Sequence, residues 1–165
     1  MFSVQEGFSF TERTKRPPRD PLNALISFCN TVLYSQVLKA IWKKGLDPQI
    51  SILHASTNRP YSLHLDFADY MKPVIVDRVI FSLVNRHQLD AKKHFDYLET
   101  GAVLLNTDGK RLVLTEMEDK LHTKLMVKDS SYTYLGLIER DVAQLKEYIL
   151  QKTGEKKRFK PYKYY

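Results

Sequence analysis

A chain of 165 residues has the length of one domain, enough to bury roughly two-thirds of the surface its unfolded form exposes. With 43% hydrophobic and 27% charged residues it is neither a disordered nor a fibrous polymer, and its single cysteine, Cys29, excludes an intrachain disulfide and a cysteine-built zinc cage. The net charge of +7, with a pI near 9.4, makes polyanions, and nucleic acid first among them, the leading partner class, although a basic surface also serves solubility alone.

Residues 1–19 lack periodicity and reach Pro17-Pro18, which predicts an extended lead-in segment. Its start, MFSVQEGFSF, has neither the basic nor the apolar region of a secretory signal, so a cytoplasmic protein is expected. Arg13, Lys15, Arg16 and Arg19 are candidates for sequence-independent contacts to DNA phosphates, with packing at a helix start as the alternative. The first helix is predicted over about 21 to 44. Asp20 is a good N-cap, Pro21 suits the first helical position, and Leu22, Leu25, Ile26, Cys29, Val32, Leu33, Val37 and Ile41 share one face before Gly45.

A short apolar run, Ile50 to His54, and a turn-rich loop through Ser56, Thr57, Asn58 and Pro60 follow. From Asp66 to Leu83 the apolar spacing is helical again, with a kink expected at Pro73. The most hydrophobic stretch, Val74 to Val84, is broken by Asp77 and Arg78, and no apolar run of membrane-spanning length is expected. Residues 89–98 read as a short helix. Around Thr107-Asp108-Gly109 either a hairpin or a helix running to about Met126 fits, and the helix is preferred. A last helix is predicted from Ser131 to Gln151, with Leu135, Ile138, Val142, Leu145 and Ile149 on one stripe. The whole is expected to be a single all-α domain over residues 20–152, followed by a basic aromatic tail at 153–165. In that tail region Lys152 to Lys163 alternates with Phe159, Tyr162, Tyr164 and Tyr165, which suits nucleic-acid faces and equally a frayed terminus.

The residues with the most chemistry are His54, Asp66 and Asp69. Two carboxylates three apart on a helix share a face, and a loop delivers the imidazole. Such a ligand set suits Mg²⁺ or Mn²⁺, ions that stabilise charge on a phosphoryl oxygen and activate an attacking hydroxyl. Helix capping and surface charge account for the same two aspartates, and His64 and Asp77 are ligand candidates on the same grounds. No Gly-rich phosphate loop, Gly-x-Ser-x-Gly elbow or paired-cysteine cluster competes.

Several strings in fixed order carry a resemblance. They are RPPRDPLNALISF (Arg16 to Phe28), Leu33-Tyr34, Gly45-Leu46-Asp47-Pro48, Leu53-His54, Leu65-Asp66-Phe67-Ala68-Asp69, Lys72-Pro73-Val74-Ile75-Val76-Asp77-Arg78, and IERDVAQLKEYI with a Phe-Lys-Pro-Tyr tail. Together they resemble the CRISPR adaptation integrase family over nearly the whole chain. The resemblance implies the family's multi-helix C-terminal catalytic domain, with His54 and Asp69 as metal ligands, Asp66 as an assisting carboxylate, and Mg²⁺ or Mn²⁺ as cofactor. It implies insertion of a DNA fragment, the prespacer, into a CRISPR array through attack by a 3′-hydroxyl. The implied partners are that DNA, a second copy of the chain in the intact protein, and the family's second adaptation subunit, Cas-two, with no membrane.

Two departures accompany it. The family's N-terminal β-rich domain is absent, and so is the Glu-Gly motif that supplies a third metal ligand. Glu6-Gly7 imitates that motif but lies only ten residues before Arg16, and it is taken as coincidence. A chain truncated at its N-terminus is therefore expected, holding metal weakly and cutting little DNA alone. The alternative is a non-catalytic basic remnant that binds DNA or packs on a partner.

Overall fold

The computed structural model describes residues 7–49 and 63–150. In chain order these form α1 (Pro21–Lys43), α2 (Leu63–Asp69), α3 (Val76–Asn85), β1 (Phe95–Tyr97), β2 (Val103–Leu105), α4 (Thr107–His122), β3 (Lys124–Val127), β4 (Ser130–Thr133) and α5 (Tyr134–Ile149). They divide between two compact units, Met1–Leu33 with Met71–Lys120, and Tyr34–Tyr70 with Leu121–Tyr165.

In the first unit the lead-in segment is tied down by a buried amide. Asn23 is fully buried; its Nδ2 donates to the Glu12 carbonyl at 2.8 Å and to Asp20 Oδ2 at 2.6 Å, while its Oδ1 accepts from Arg13 at 2.6 Å and from the Thr14 N–H at 3.1 Å. Asp20 also accepts from the Asn23 N–H at 2.8 Å, three residues on, the bond expected of an N-cap. Leu25, Cys29 and Leu33 of α1 are fully buried, as are Met71, Ile75, Leu89, Val113 and Met117, and Phe8 meets Phe95 edge to face at 5.8 Å. The second unit buries Val37, Ile41, Leu63, Leu137, Ile138 and Val142 completely. Lys43 pairs with Glu139 at 2.8 Å, and Lys146 donates to the Lys44 carbonyl at 2.7 Å.

Among the described residues the predicted all-α character holds for five helices, and two small antiparallel hairpins qualify it. Residues 89–98 are not a helix. The Asp90 carboxylate accepts from the Lys92 and Lys93 N–H groups, each at 2.8 Å, and His94 Nδ1 accepts from the Asp90 N–H at 2.9 Å. Such short-range bonds offer the backbone an alternative to helix. Phe95–Tyr97 then pairs with Val103–Leu105 around Gly101, whose φ of +76° a side chain would strain.

The alternative hairpin at 107–109 does not form, because the apolar triplet before it pairs backwards in the chain. The preferred helix does form, with Asn106 Oδ1 accepting from the Gly109 N–H at 2.9 Å. A Cβ on Gly109 would lie 2.5 Å from the His94 carbonyl, so only glycine permits that approach. This helix ends at His122 rather than Met126, since Lys124–Val127 pairs with Ser130–Thr133. The last helix consequently begins at Tyr134, capped by Thr133 Oγ1 accepting from the Gly136 N–H at 3.0 Å.

The kink expected at Pro73 is a full break. α2 ends at Asp69 and α3 begins at Val76, the proline having no N–H to continue the ladder. By length and composition α1 is a helix that could cross a membrane, contrary to the expectation that no run of that length exists. That expectation counted unbroken apolar runs, whereas α1 intersperses Asn23, Ser27, Asn30 and Thr31 among its apolar residues. Core helices pass the same test, and Leu25, Cys29, Leu33, Val37 and Ile41 are all fully buried within the molecule.

Candidate active site

α2 carries the two acidic candidates. It has only seven residues, too few to be stable alone, so its geometry is set by what it packs on. Leu63, Phe67 and Ala68 are buried, and Phe67 meets Tyr70 edge to face at 5.3 Å. Asp66 stands in the first turn at 8% exposure, and Asp69, one turn on, is exposed. Near-burial limits the freedom of the first carboxylate, and exposure leaves the second accessible to solvent.

The third candidate, His54, lies outside the described residues, as do the run and loop predicted around it, Glu6, and the basic aromatic tail. Among the described residues no group of three His, Cys, Asp or Glu side chains could hold a metal ion. Two carboxylates one helical turn apart are nevertheless hard oxygen donors of the kind Mg²⁺ and Mn²⁺ take.

His64 and Asp77, the rival ligands, stand differently. Among the described residues His64 Nδ1 is buried without a hydrogen-bond partner, and its ring meets Tyr34 edge to face at 5.9 Å. Burial lowers its pKa below the usual 6.5, opposed by the charge of Asp66. Asp77 belongs to the first unit, in the first turn of α3, where desolvation raises its carboxyl against the pull of Lys72. Cys29 is fully buried and its thiol is pushed up to about 12, which makes it a core residue and no nucleophile.

The four basic candidates divide. Arg13 is committed to structure, donating to Asn23 Oδ1 and to Ser27 Oγ at 3.0 Å. Lys15, Arg16 and Arg19 are exposed, and the Arg19 N–H donates to Thr14 Oγ1 at 3.0 Å. Among the described residues two polar side chains with 0% exposure, Asn23 and Asp141, are not evident from the sequence reading. Asn23 followed a predicted cap and looked like an ordinary helix residue. Asp141 is fully buried on α5, and its signal was available, since an acid at that position shares the apolar stripe of Ile138 and Leu145.

The sequence profile of the family described as CRISPR associated protein Cas1 matches residues 1–119. The chain belongs to the Cas1 family. It is 37% identical over 159 residues to a CRISPR-associated endonuclease Cas1 of Thermodesulfovibrio yellowstonii, covering 95% of this chain and 46% of that protein. A Cas1 protein from Thermotoga maritima superposes with a TM-score of 0.79 at 36% identity, over 90% of this chain and 46% of its own. A casposase bound to integration product shares the fold, with a TM-score of 0.80 at 23% identity, over 88% of this chain and 44% of its own. The chain thus spans about half the length of the Cas1 relatives it matches.

Proposed function

We propose that this Cas1 chain contributes the histidine and aspartate side of a metal-dependent DNA-joining site that inserts spacers into a CRISPR array. The observation that carries the reading is α2, which sets Asp66 and Asp69 one turn apart in a family whose relatives are named endonucleases. His54 and Asp69 would hold Mg²⁺ or Mn²⁺, with Asp66 assisting. A bound ion supplies charge stabilisation on the phosphate and lowers the pKa of the attacking hydroxyl. The chain's own share is positioning: the 3′-hydroxyl of the fragment gives up its proton to water as its oxygen forms a new P–O bond, an array P–O bond breaks, and the departing oxygen takes up a proton from water.

The partners in this reading are the prespacer and array DNA, a second copy of the chain and the Cas-two subunit, in the cytoplasm. A positive charge of +7 favours the DNA non-specifically, and Lys15, Arg16 and Arg19 are the exposed members of the lead-in cluster that would meet phosphates.

A nuclease and strand-joining assay with Mn²⁺ on branched and duplex DNA, run beside a salt-titrated binding assay, tests it. Cleavage or joining lost on His54→Ala and Asp69→Ala supports the reading. Binding without chemistry makes the chain a DNA-binding module. Robust cleavage insensitive to both substitutions moves the chemistry to other residues, and the absence of both binding and cleavage overturns the reading.

A further inference from the structure

Among the described residues of the second unit, the most heavily buried charge meets Tyr70, the residue that follows the acidic helix. Asp141 has 0% exposure. Its Oδ1 accepts from Arg140 Nε at 2.8 Å and Nη2 at 2.5 Å, and its Oδ2 accepts from the Tyr70 hydroxyl at 3.2 Å. The Arg140 guanidinium in turn lies over the Tyr132 ring, 5.2 Å from its centroid. Tyr70 is the residue immediately after Asp69, and its ring packs against Phe67 on the buried side of α2. A chain of contacts therefore runs from β4 through Arg140 and Asp141 on α5 to the end of the helix that bears Asp66 and Asp69.

Stability alone gives a poor account of this arrangement. A carboxylate on the apolar stripe of α5 must be desolvated, and well-packed apolar residues commonly serve stability as well or better than a buried ion pair. What a buried, hydrogen-bonded charge adds is direction: it accepts the Tyr70 hydroxyl in one place, where an apolar side chain would tolerate several. A seven-residue helix has little rigidity of its own, so a fixed point at its end sets the orientation of both carboxylates.

We propose that Asp141 is a positioning residue that acts through Tyr70 to hold α2 in the orientation Asp66 and Asp69 need to bind a divalent cation. This rests on the metal-site reading of those two aspartates. It adds a residue that touches neither metal nor DNA and whose influence crosses from α5.

The test is Mn²⁺ affinity of the full chain, read from the electron paramagnetic resonance signal of free Mn²⁺, together with thermal unfolding. Tyr70→Phe removes only the hydroxyl, and Asp141→Asn keeps the shape while removing the charge. Asp69→Ala reports on the site itself, and Thr133→Ala, which removes the α5 cap, reports on general weakening of that helix. Asp69→Ala should abolish binding, whereas Tyr70→Phe and Asp141→Asn should each weaken it about three- to tenfold, below the effect typical of groups bonded directly to a ligand. Thr133→Ala should lower the melting temperature and leave Mn²⁺ affinity unchanged.

Unchanged affinity in Tyr70→Phe, with binding lost in Asp69→Ala, overturns the role of Asp141 and leaves the site reading standing. Equal weakening by Thr133→Ala makes the role merely structural and also overturns it. Mn²⁺ binding that is absent in the unaltered chain, or indifferent to Asp69→Ala, removes the site reading and the proposal together. If Asp141→Asn does not fold, Tyr70→Phe decides the question.

Discussion

Two buried polar nodes, one under the start of α1 and one under the end of α2, use similar hydrogen bonds to opposite ends. The first closes on itself: Asn23 is a neutral amide whose partners lie 3 to 11 residues away. The second is a charge, Asp141, that reaches Tyr70 across 71 residues. A local node centred on a neutral amide contributes stability and is indifferent to what the molecule does. A long-range charged node costs desolvation, and its return is the orientation of a short helix carrying one nearly buried acid, Asp66, and one exposed acid, Asp69.

Function and stability should therefore separate cleanly between the two regions. The largest effect expected is on chemistry: in the intact protein, Asp69→Ala should reduce Mn²⁺-dependent DNA joining at least about 10²-fold, the scale seen when a group stabilising transition-state charge is removed. Because Asp69 is exposed, any polar contact it makes is solvent-screened, and the substitution should change the unfolding free energy by no more than about 1 kcal/mol. A denaturant melt showing a loss much beyond that would give Asp69 a structural role and blur the contrast.

Asn23→Ala should do the reverse. It removes one hydrogen bond each from the Glu12 carbonyl, the Asp20 carboxylate, the Arg13 guanidinium and the Thr14 N–H, and about 2 to 3 kcal/mol of stability should go with them. Mn²⁺ affinity of the folded fraction should not change. Urea titration checks the first statement and the free-Mn²⁺ signal the second.

What could be read in the sequence follows the same division. The α1 boundaries, the Asp20 cap and the buried stripe were legible because helix periodicity and capping are local properties. Asp66 and Asp69 were legible as one-turn neighbours for the same reason, and the structure places both on α2. The 89–98 stretch misled because its polarity pattern suits a helix, while Asp90 and His94 satisfy the backbone within a turn and Val103–Leu105 takes up the strand edge. β4 was lost inside the predicted last helix, since Ser130–Thr133 owes its strand character to Lys124–Val127 across a turn and has no alternation of its own. The bond between Tyr70 and Asp141 leaves no trace in spacing, because nothing local couples positions so far apart.

Within the lead-in segment the contrast sharpens at adjacent basic residues. Arg13→Ala should cost about 1 to 3 kcal/mol, because its guanidinium is bonded to Asn23 and Ser27, and should barely alter the salt dependence of DNA binding. Replacing Lys15, Arg16 and Arg19 together by alanine should leave the melting temperature nearly constant. It should reduce the slope of log affinity against log salt by up to about 2.7, since each neutralised phosphate contributes about 0.9. An unchanged slope would return these three residues to the solvated surface.

The smallest effect concerns pH, and it again sets α1 against α2. Cys29, with its thiol pushed up to about 12, stays protonated in the folded chain up to strongly alkaline pH, so it confers no stability change between pH 5 and 8. His64 behaves otherwise. Its pKa is lowered from 6.5 by burial, so below that value the unfolded chain takes up a proton that the folded chain resists. The unfolded state then binds more protons, and stability rises with pH through this window and is lost as pH falls below it. Asp66 opposes the shift by favouring the imidazolium, so Asp66→Asn should make the loss at acid pH larger, and His64→Gln should remove its share. Melting temperatures compared between pH 7.5 and 5.5 in the three proteins read the difference directly. If Asp66→Asn instead left the acid sensitivity unchanged, the field of Asp66 would not reach His64, and the side chain expected beside the metal would be oriented differently from the one described.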